Sequence, residues 1–206
     1  IMDITLKEEL KNNCGNRNIK VSFHENLDDA REYIVKLVSS NKKVGIGNSQ
    51  TLKKMEISKT LLENNNTVYD KTLAQTKEES TRLKKLSLLA DFYITGTNAV
   101  SMDGRLVNID HSGNRVAAMI YGPDRVLVVV GVNKIEKTLE DANDRVRNHA
   151  APLNAKRAGY NPPCLELGKC IDCQTDQRVC YNFVVIEGQY RPGRMELLII
   201  DEKVGF

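Results

Sequence analysis

Apolar and polar positions along the 206 residues form short apolar runs that alternate with longer amphipathic stretches. That alternation predicts strands joined by crossover helices, and so a largely parallel sheet covered on both faces. The pattern is densest from Asp91 to Lys134, DFYITGTNAVSMDGRLVNIDHSGNRVAAMIYGPDRVLVVVGVNK. It predicts a strand, a β-hairpin at about 98–109, a glycine-bearing loop, a short helix and a buried strand. Asp103-Gly104 suits a two-residue type I′ turn, which would set Met102 against Arg105, Ser101 against Leu106 and Val100 against Val107. The loop Asp110–Asn114 would open a helix over about Arg115–Tyr121, stopped by Gly122-Pro123. Arg125–Gly131 is too uniformly apolar for a half-exposed strand and reads as one buried on both faces.

The flanking segments follow the same rhythm. A peripheral helix is expected over Ile4–Asn13, then a connector through Cys14-Gly15-Asn16, with Cys14 a bystander and His24 a loop residue. Helices are expected over about Asp28–Ser39 and Lys77–Ala90, the latter with Leu83, Leu86 and Leu89-Ala90 as its buried stripe. Short strands are expected at Lys43–Ile46 and Thr67–Tyr69. Ile135, Leu139, Ala142 and Val146 share one face of a further helix ending near His149-Ala-Ala-Pro152, where the helix macrodipole accounts for His149. Tyr181–Ile186 and Glu196–Asp201 are two more strands expected to complete the sheet.

Gly45-Ile-Gly47-Asn48-Ser49-Gln-Thr51 follows a strand, and Ser49 is a good N-cap for a helix reaching about Glu63. Strand, glycine loop and capped helix start is an arrangement that presents backbone N–H groups to an anion. It is neither GxGxxG nor a Walker loop, and a tight strand-to-helix turn would explain it as well.

Composition narrows the function classes. A formal charge of +3 with scattered basic residues, no tryptophan and few aromatics argues against a nucleic-acid surface. No apolar run approaches a membrane span, and the polar N-terminal segment does not read as a signal peptide, so a cytoplasmic protein is expected. Four of the five cysteines cluster as Cys164-x5-Cys170-x2-Cys173-x6-Cys180. An odd total with one tight cluster suits metal ligation better than a disulfide framework. Four thiolates select a [4Fe–4S] cluster or zinc. The outer spacings match neither a two-knuckle zinc ribbon nor the compact ferredoxin run, and unliganded thiols are a third reading. Arg178, two residues before Cys180, is placed to hydrogen-bond near cluster sulfurs. A metal would staple this turn-rich insertion, residues 162–181 of a single domain.

Taken together, GTNAVSMDGRLVNIDHSGNRVAAMIYGPDRVLVVVGVNKI, AAPLNAKR and GKCIDCQTDQRVC resemble the lactate-utilisation (LUD) domain family, from about Leu27 to the C-terminus. The resemblance implies a three-layer α/β fold shared with ribose-5-phosphate isomerase and CoA transferases. It implies an anion site at Gly45, Gly47, Asn48, Ser49 and Thr51. A second loop would face it with Asp103, Gly104 and Asn108, and Gly113 and Asn114 would meet the ligand's other end. Gly96 and Asn98 are further ligand-binding candidates, and Arg115 is another because it follows the loop at a helix start. His111 stands where family members often carry glycine, making it, with Asp103, a candidate for polar chemistry. Family members work with lactate-oxidation components, one of which carries an appended ferredoxin domain that this chain lacks.

Three functions follow as expectations. One is an iron–sulfur component of a lactate or 2-hydroxy acid redox system, with a redox partner protein. Another is an isomerase- or transferase-type enzyme or binder of a small anionic metabolite with structural zinc. The last is a zinc-stapled scaffold. No nucleic-acid or membrane partner is expected, and a homo-oligomer is left open.

Overall fold

The computed structural model describes residues 2–206. Its centre is formed by the two most continuous apolar runs, β7 (Arg125–Gly131) and β10 (Met195–Ile200), which lie side by side in parallel. Around them a six-stranded, all-parallel sheet runs in the order β1 (Ile19–His24), β10, β7, β4 (Phe92–Thr95), β2 (Lys43–Ile46), β3 (Thr67–Asp70). Because successive side chains of a strand point to opposite faces, each run feeds two cores. Val126, Val128 and Val130 enter one core, while Leu127 and Val129 enter the other.

The second of those cores is closed by α2 (Leu27–Val38), α3 (Gln50–Lys54) and α4 (Ile57–Glu63), through Ile34, Leu52 and Leu61 among others. On the opposite face lie α1 (Ile4–Gly15), α5 (Lys77–Ser87), α6 (Asn114–Ile120) and a second sheet. That sheet runs in the order β8 (Ile135–Glu136), β5 (Ala99–Ser101), β6 (Leu106–Asp110), β9 (Asn182–Ile186), and is mostly antiparallel. Its outer side packs Ala99, Val107 and Ile109 on Ala142, Val146 and Ala151, carried by α7 (Leu139–Arg145), a wide helical turn over Val146–Ala150, and α8 (Ala151–Arg157). The mostly parallel α/β fold with helices on both faces is as the sequence implies. No described helix is long and apolar enough to cross a membrane.

Several local expectations are corrected. Helix α1 continues through Cys14 and Gly15, in place of the expected connector, and buries Cys14 in the core; residues 19–24 form a strand, so His24 is a buried strand end and not a loop residue. The hairpin is one residue out of the predicted register: Val100 faces Leu106 and Ala99 faces Val107. Its loop has three residues, Met102–Gly104, closed by Ser101 N–H to Arg105 O at 3.0 Å, with Gly104 left-handed at φ +91°. A glycine in that position makes the three-residue turn cheaper than the two-residue one. The helix expected from Ser49 to Glu63 breaks at Met55-Glu56, where Glu56 is left-handed, into α3 and α4. Ile135 belongs to β8, and the following helix runs through Pro152 to Arg157. The π-type turn ahead of Pro152 widens the ladder, which spares the proline ring its usual clash with the preceding turn. Helix α5 stops at Ser87, leaving Leu89 80% exposed. The strands after the cysteines part company, β10 entering the main sheet and β9 the second.

Candidate functional site

In an open parallel sheet, ligands bind beyond the C-terminal strand ends, where the connections part to opposite sides. Here that place lies between β2, which continues outward to β3, and β4, whose next main-sheet strand is β7 on the other side. A cavity of about 330 Å³ opens there. It is lined by the loop after β2 (Asn48, Ser49), the loop after β4 (Gly96–Asn98), the loop after β6 (Asp110–Ser112, Asn114, Arg115), Lys134 and part of α8.

The loop after β4 is fixed by three basic side chains. Arg115 Nη1 donates to Gly96 O at 3.0 Å, Lys134 Nζ to Thr97 O at 3.2 Å, and Arg145 Nη1 to Asn98 O at 2.9 Å. Three successive carbonyls that no strand partner satisfies are thereby satisfied by groups from α6, the turn after β7, and α7. Arg115 also donates to Asn108 Oδ1 (2.8 Å), Asn98 Oδ1 (2.9 Å) and Ile109 O (3.0 Å), and pairs with Asp110 at 3.4 Å. Asp110 in turn accepts from the Arg115 and Val116 amides, tying the first turn of α6 to β6.

The wall is strongly cationic. Lys71, Lys84, Arg115, Lys134 and Arg157 line it, against one acidic side chain among the described residues, Asp110, which is already paired. Burial, reinforced by the Arg145, Arg115 and Arg157 charges, pushes the Lys134 amine down to about 7. Burial and then the neighbouring Lys84 also lower Lys71, and burial lowers Arg157. Cations held below their ordinary range are cations short of a counter-charge or of water. Two buried acceptors nearby also lack partners, Asn48 Oδ1 and Thr51 Oγ1.

The predicted residues divide accordingly. Asn48, Ser49, Gly96, Asn98, His111, Asn114 and Arg115 come together around the cavity. Gly45 and Gly47 do not line it; they let β2 approach its neighbours, since a Cβ on Gly47 would lie 2.8 Å from Thr95 Cβ and one on Gly45 2.8 Å from Tyr93 Cδ2. Thr51 is buried behind the cavity beside Gly205, and Gly113 starts α6 at φ +84°. Asn108 is fully buried, its Oδ1 also accepting from Thr97 Oγ1 at 2.8 Å. Asp103 and Gly104 lie away from the cavity. The hairpin tip packs on the end of α1, where Arg17 Nε donates to Asp103 O and the Asp103 carboxylate pairs with Arg105.

The four clustered cysteines are free and border a second, much smaller cavity of about 20 Å³ with an apolar lining. As placed, no three His, Cys, Asp or Glu side chains among the described residues form a metal-ligand set. Arg178 donates to Cys173 O (2.8 Å) and Cys180 O (3.3 Å) and pairs with Asp172 (2.9 Å), so it laces the loop to itself. The two cavities share a wall: Ile109 lines both, and Ala150 and Ala151 face one each. His111, on the wall of the larger cavity, stacks on Tyr181 and lies edge-on to Tyr160, with centroids 5.8 and 5.4 Å away.

The sequence profile of the LUD domain matches residues 7–200. The chain belongs to the LUD domain family. Among solved structures, the LUD chain is similar to a DUF162 family protein from Deinococcus radiodurans, at 13% identity and TM-score 0.55, with 97% of this chain and 98% of that one covered. Weaker likenesses are ribose 5-phosphate isomerase A from Methanocaldococcus jannaschii (18% identity, TM-score 0.39, covering 65% and 66%) and eIF2B beta from Chaetomium thermophilum (16%, 0.39, covering 56% and 44%). No curated protein matches. In this LUD domain, the basic cavity residues that sequence reasoning missed are Lys71, Lys84, Lys134 and Arg157. Lys134 carries a signal in hindsight, a lysine placed just past the C-terminal end of a wholly apolar strand. The others reach the cavity from separate helical segments, and nothing local marks them.

Proposed function

We propose that this LUD domain binds a small organic anion of the 2-hydroxy or 2-oxo acid class at the end of its parallel sheet. The observation that carries the reading is the charge of the cavity wall, five basic side chains around one paired carboxylate. A carboxylate would supply the missing counter-charge, and an adjacent hydroxyl would donate to the unpartnered Asn48 Oδ1. The family's link to lactate utilisation points to the same substrate class. Calorimetry or thermal shift with lactate, glycolate, pyruvate and a phosphosugar tests it. Saturable binding of the acids, weakened at least about tenfold by Arg157→Ala as expected for loss of a charge-assisted bond, supports the reading. Indifference to every anion would end it.

A second reading rests on the cysteines. Four free thiols on one apolar cavity suit a [4Fe–4S] cluster by donor chemistry, with zinc the alternative. Such a cluster would supply one-electron transfer, and this LUD domain would then serve a redox system for the same acids together with a partner protein. Cys164, Cys170, Cys173 and Cys180 would hold it. Iron and acid-labile sulfide in equal amounts in anaerobically purified protein would favour the cluster, and zinc alone a structural staple.

A further inference from the structure

Lys134 is more deeply buried than a group meant only to attract anions needs to be. Its residue is 7% exposed, yet it belongs to the cavity wall. The amine is anchored at one point, Thr97 O at 3.2 Å. Space beside it is kept by Gly205, where a Cβ would come within 3.1 Å of Nζ. The charged groups acting on it are all cations: Arg145 from α7, Arg115 from α6 and Arg157 from α8. An amine kept from water and ringed by cations gives up its proton near neutrality and becomes a nucleophile. Of these, Arg115 and Arg157 line the cavity, where their charge would attract a carboxylate.

We propose that Lys134 captures the carbonyl group of small 2-oxo acids as an imine. This rests on the reading that the cavity takes small organic acids. In the step, the neutral amine's lone pair attacks the carbonyl carbon, forming the C–N bond as the C=O π bond opens to a carbinolamine. The carbinolamine then loses its hydroxyl oxygen, together with the two protons shed by the amine nitrogen, as water. The product is the C=N bond to Nζ. No electrons are gained or lost by the pair, and no further reactant enters. Arg115 and Arg157 line the same cavity, so the carboxylate of a 2-oxo acid would meet positive charge there that a neutral ketone could not use.

The test is to incubate the full chain with pyruvate or glyoxylate, add sodium borohydride, and follow intact mass and peptide maps. One reduced adduct per chain is expected, on Lys134. Its preference over exposed lysines should be roughly a thousandfold, following the difference in free-amine fraction at neutral pH. The adduct should vanish in Lys134→Arg, which keeps the charge but forms no such imine, and excess lactate should suppress it in the wild type. Labelling spread over surface lysines, or unchanged in Lys134→Arg, overturns the proposal. Mapping on the wild-type chain decides the matter even where a variant folds poorly. Thermal shift with lactate, which has no carbonyl, separates the two readings. Stabilisation by lactate without trapping removes the imine and leaves the acid site standing; no stabilisation by either acid removes the site itself.

Discussion

The two cavities on either side of Ile109 are organised in opposite ways. The larger is held by its own hydrogen bonds: Arg115, Lys134 and Arg145 each satisfy one of three consecutive carbonyls, and Arg115 extends the network to Asn98, Asn108 and Asp110. The smaller lies in a stretch whose one regular element before β9 is the four-residue α9 (Cys164–Leu167), and its thiols make few bonds of their own. The first is therefore preorganised for a ligand, while the second is held largely by Arg178 bonding to backbone carbonyls of its own loop. A site that keeps its shape unaided meets its ligand at little conformational cost.

Arg115→Ala should break that contrast most severely. It strips a partly buried pair and leaves several buried acceptors bare, so a loss of about 3–5 kcal/mol in urea unfolding is expected. A loss below about 1 kcal/mol, the worth of a surface pair, would show that the network is not what holds the cavity. Gly47→Ala comes next. Its Cβ would press on Thr95 at the β2–β4 seam, costing about 1–3 kcal/mol and disturbing the cavity from behind. Wild-type thermal stability would show the seam to be looser than drawn.

The third prediction concerns pH. Lys134 titrates near 7 in the folded chain and, as a lysine with a depressed pKa, well above that when unfolded. Between those values the unfolded state binds more protons, so this group makes stability rise with pH from about 7 upward. Relative to Lys134→Met, the wild type should gain on the order of 1–2 kcal/mol between pH 7 and 9. A difference that stays flat would mean that the amine is solvated. Anion binding should weaken over the same interval as the cavity loses a positive charge. The smallest effect is expected at the other cavity. Cys173→Ser in metal-free protein should change stability by less than about 0.5 kcal/mol, while abolishing any melting-temperature gain on adding zinc or reconstituting iron and sulfide. A large loss without metal would show that the thiol loop is packed in its own right.

Much of the fold is legible in the sequence because its central strands carry no polar interruption. Arg125–Gly131 and Glu196–Ile200 announce themselves as doubly buried, and the segments between them have helical periodicity. Strand β1 is harder to see: Ile19, Val21 and Phe23 alternate with Lys20, Ser22 and His24 at the sheet's edge, a pattern only six residues long beside a turn-rich stretch. The hairpin register turned on whether Gly104 closed a two- or a three-residue loop, which the Asp-Gly dipeptide alone leaves open. For the site, the loop after β2 was readable, because strand, glycine and N-cap are neighbours in sequence. The basic wall was not. Lys71, Lys84, Lys134 and Arg157 are brought together only by the crossing of separate elements, and apart from Lys134, set just past an apolar strand, each looks like an ordinary solvated cation where it stands in the chain.

Strand β10 lies between β1 and β7, hydrogen-bonded to both. During synthesis, the chain through β7 leaves the ribosome long before Met195–Ile200 does, so β1 must wait without its strand partner β10 and β7 with one edge open. The main sheet is completed by insertion and not by extension, a step that spans most of the chain and is slow for that reason. Until then the exposed edge of β7, with its unbroken apolar run over residues 126–130, is where a nascent molecule is most open to pairing with a neighbour or with a chaperone.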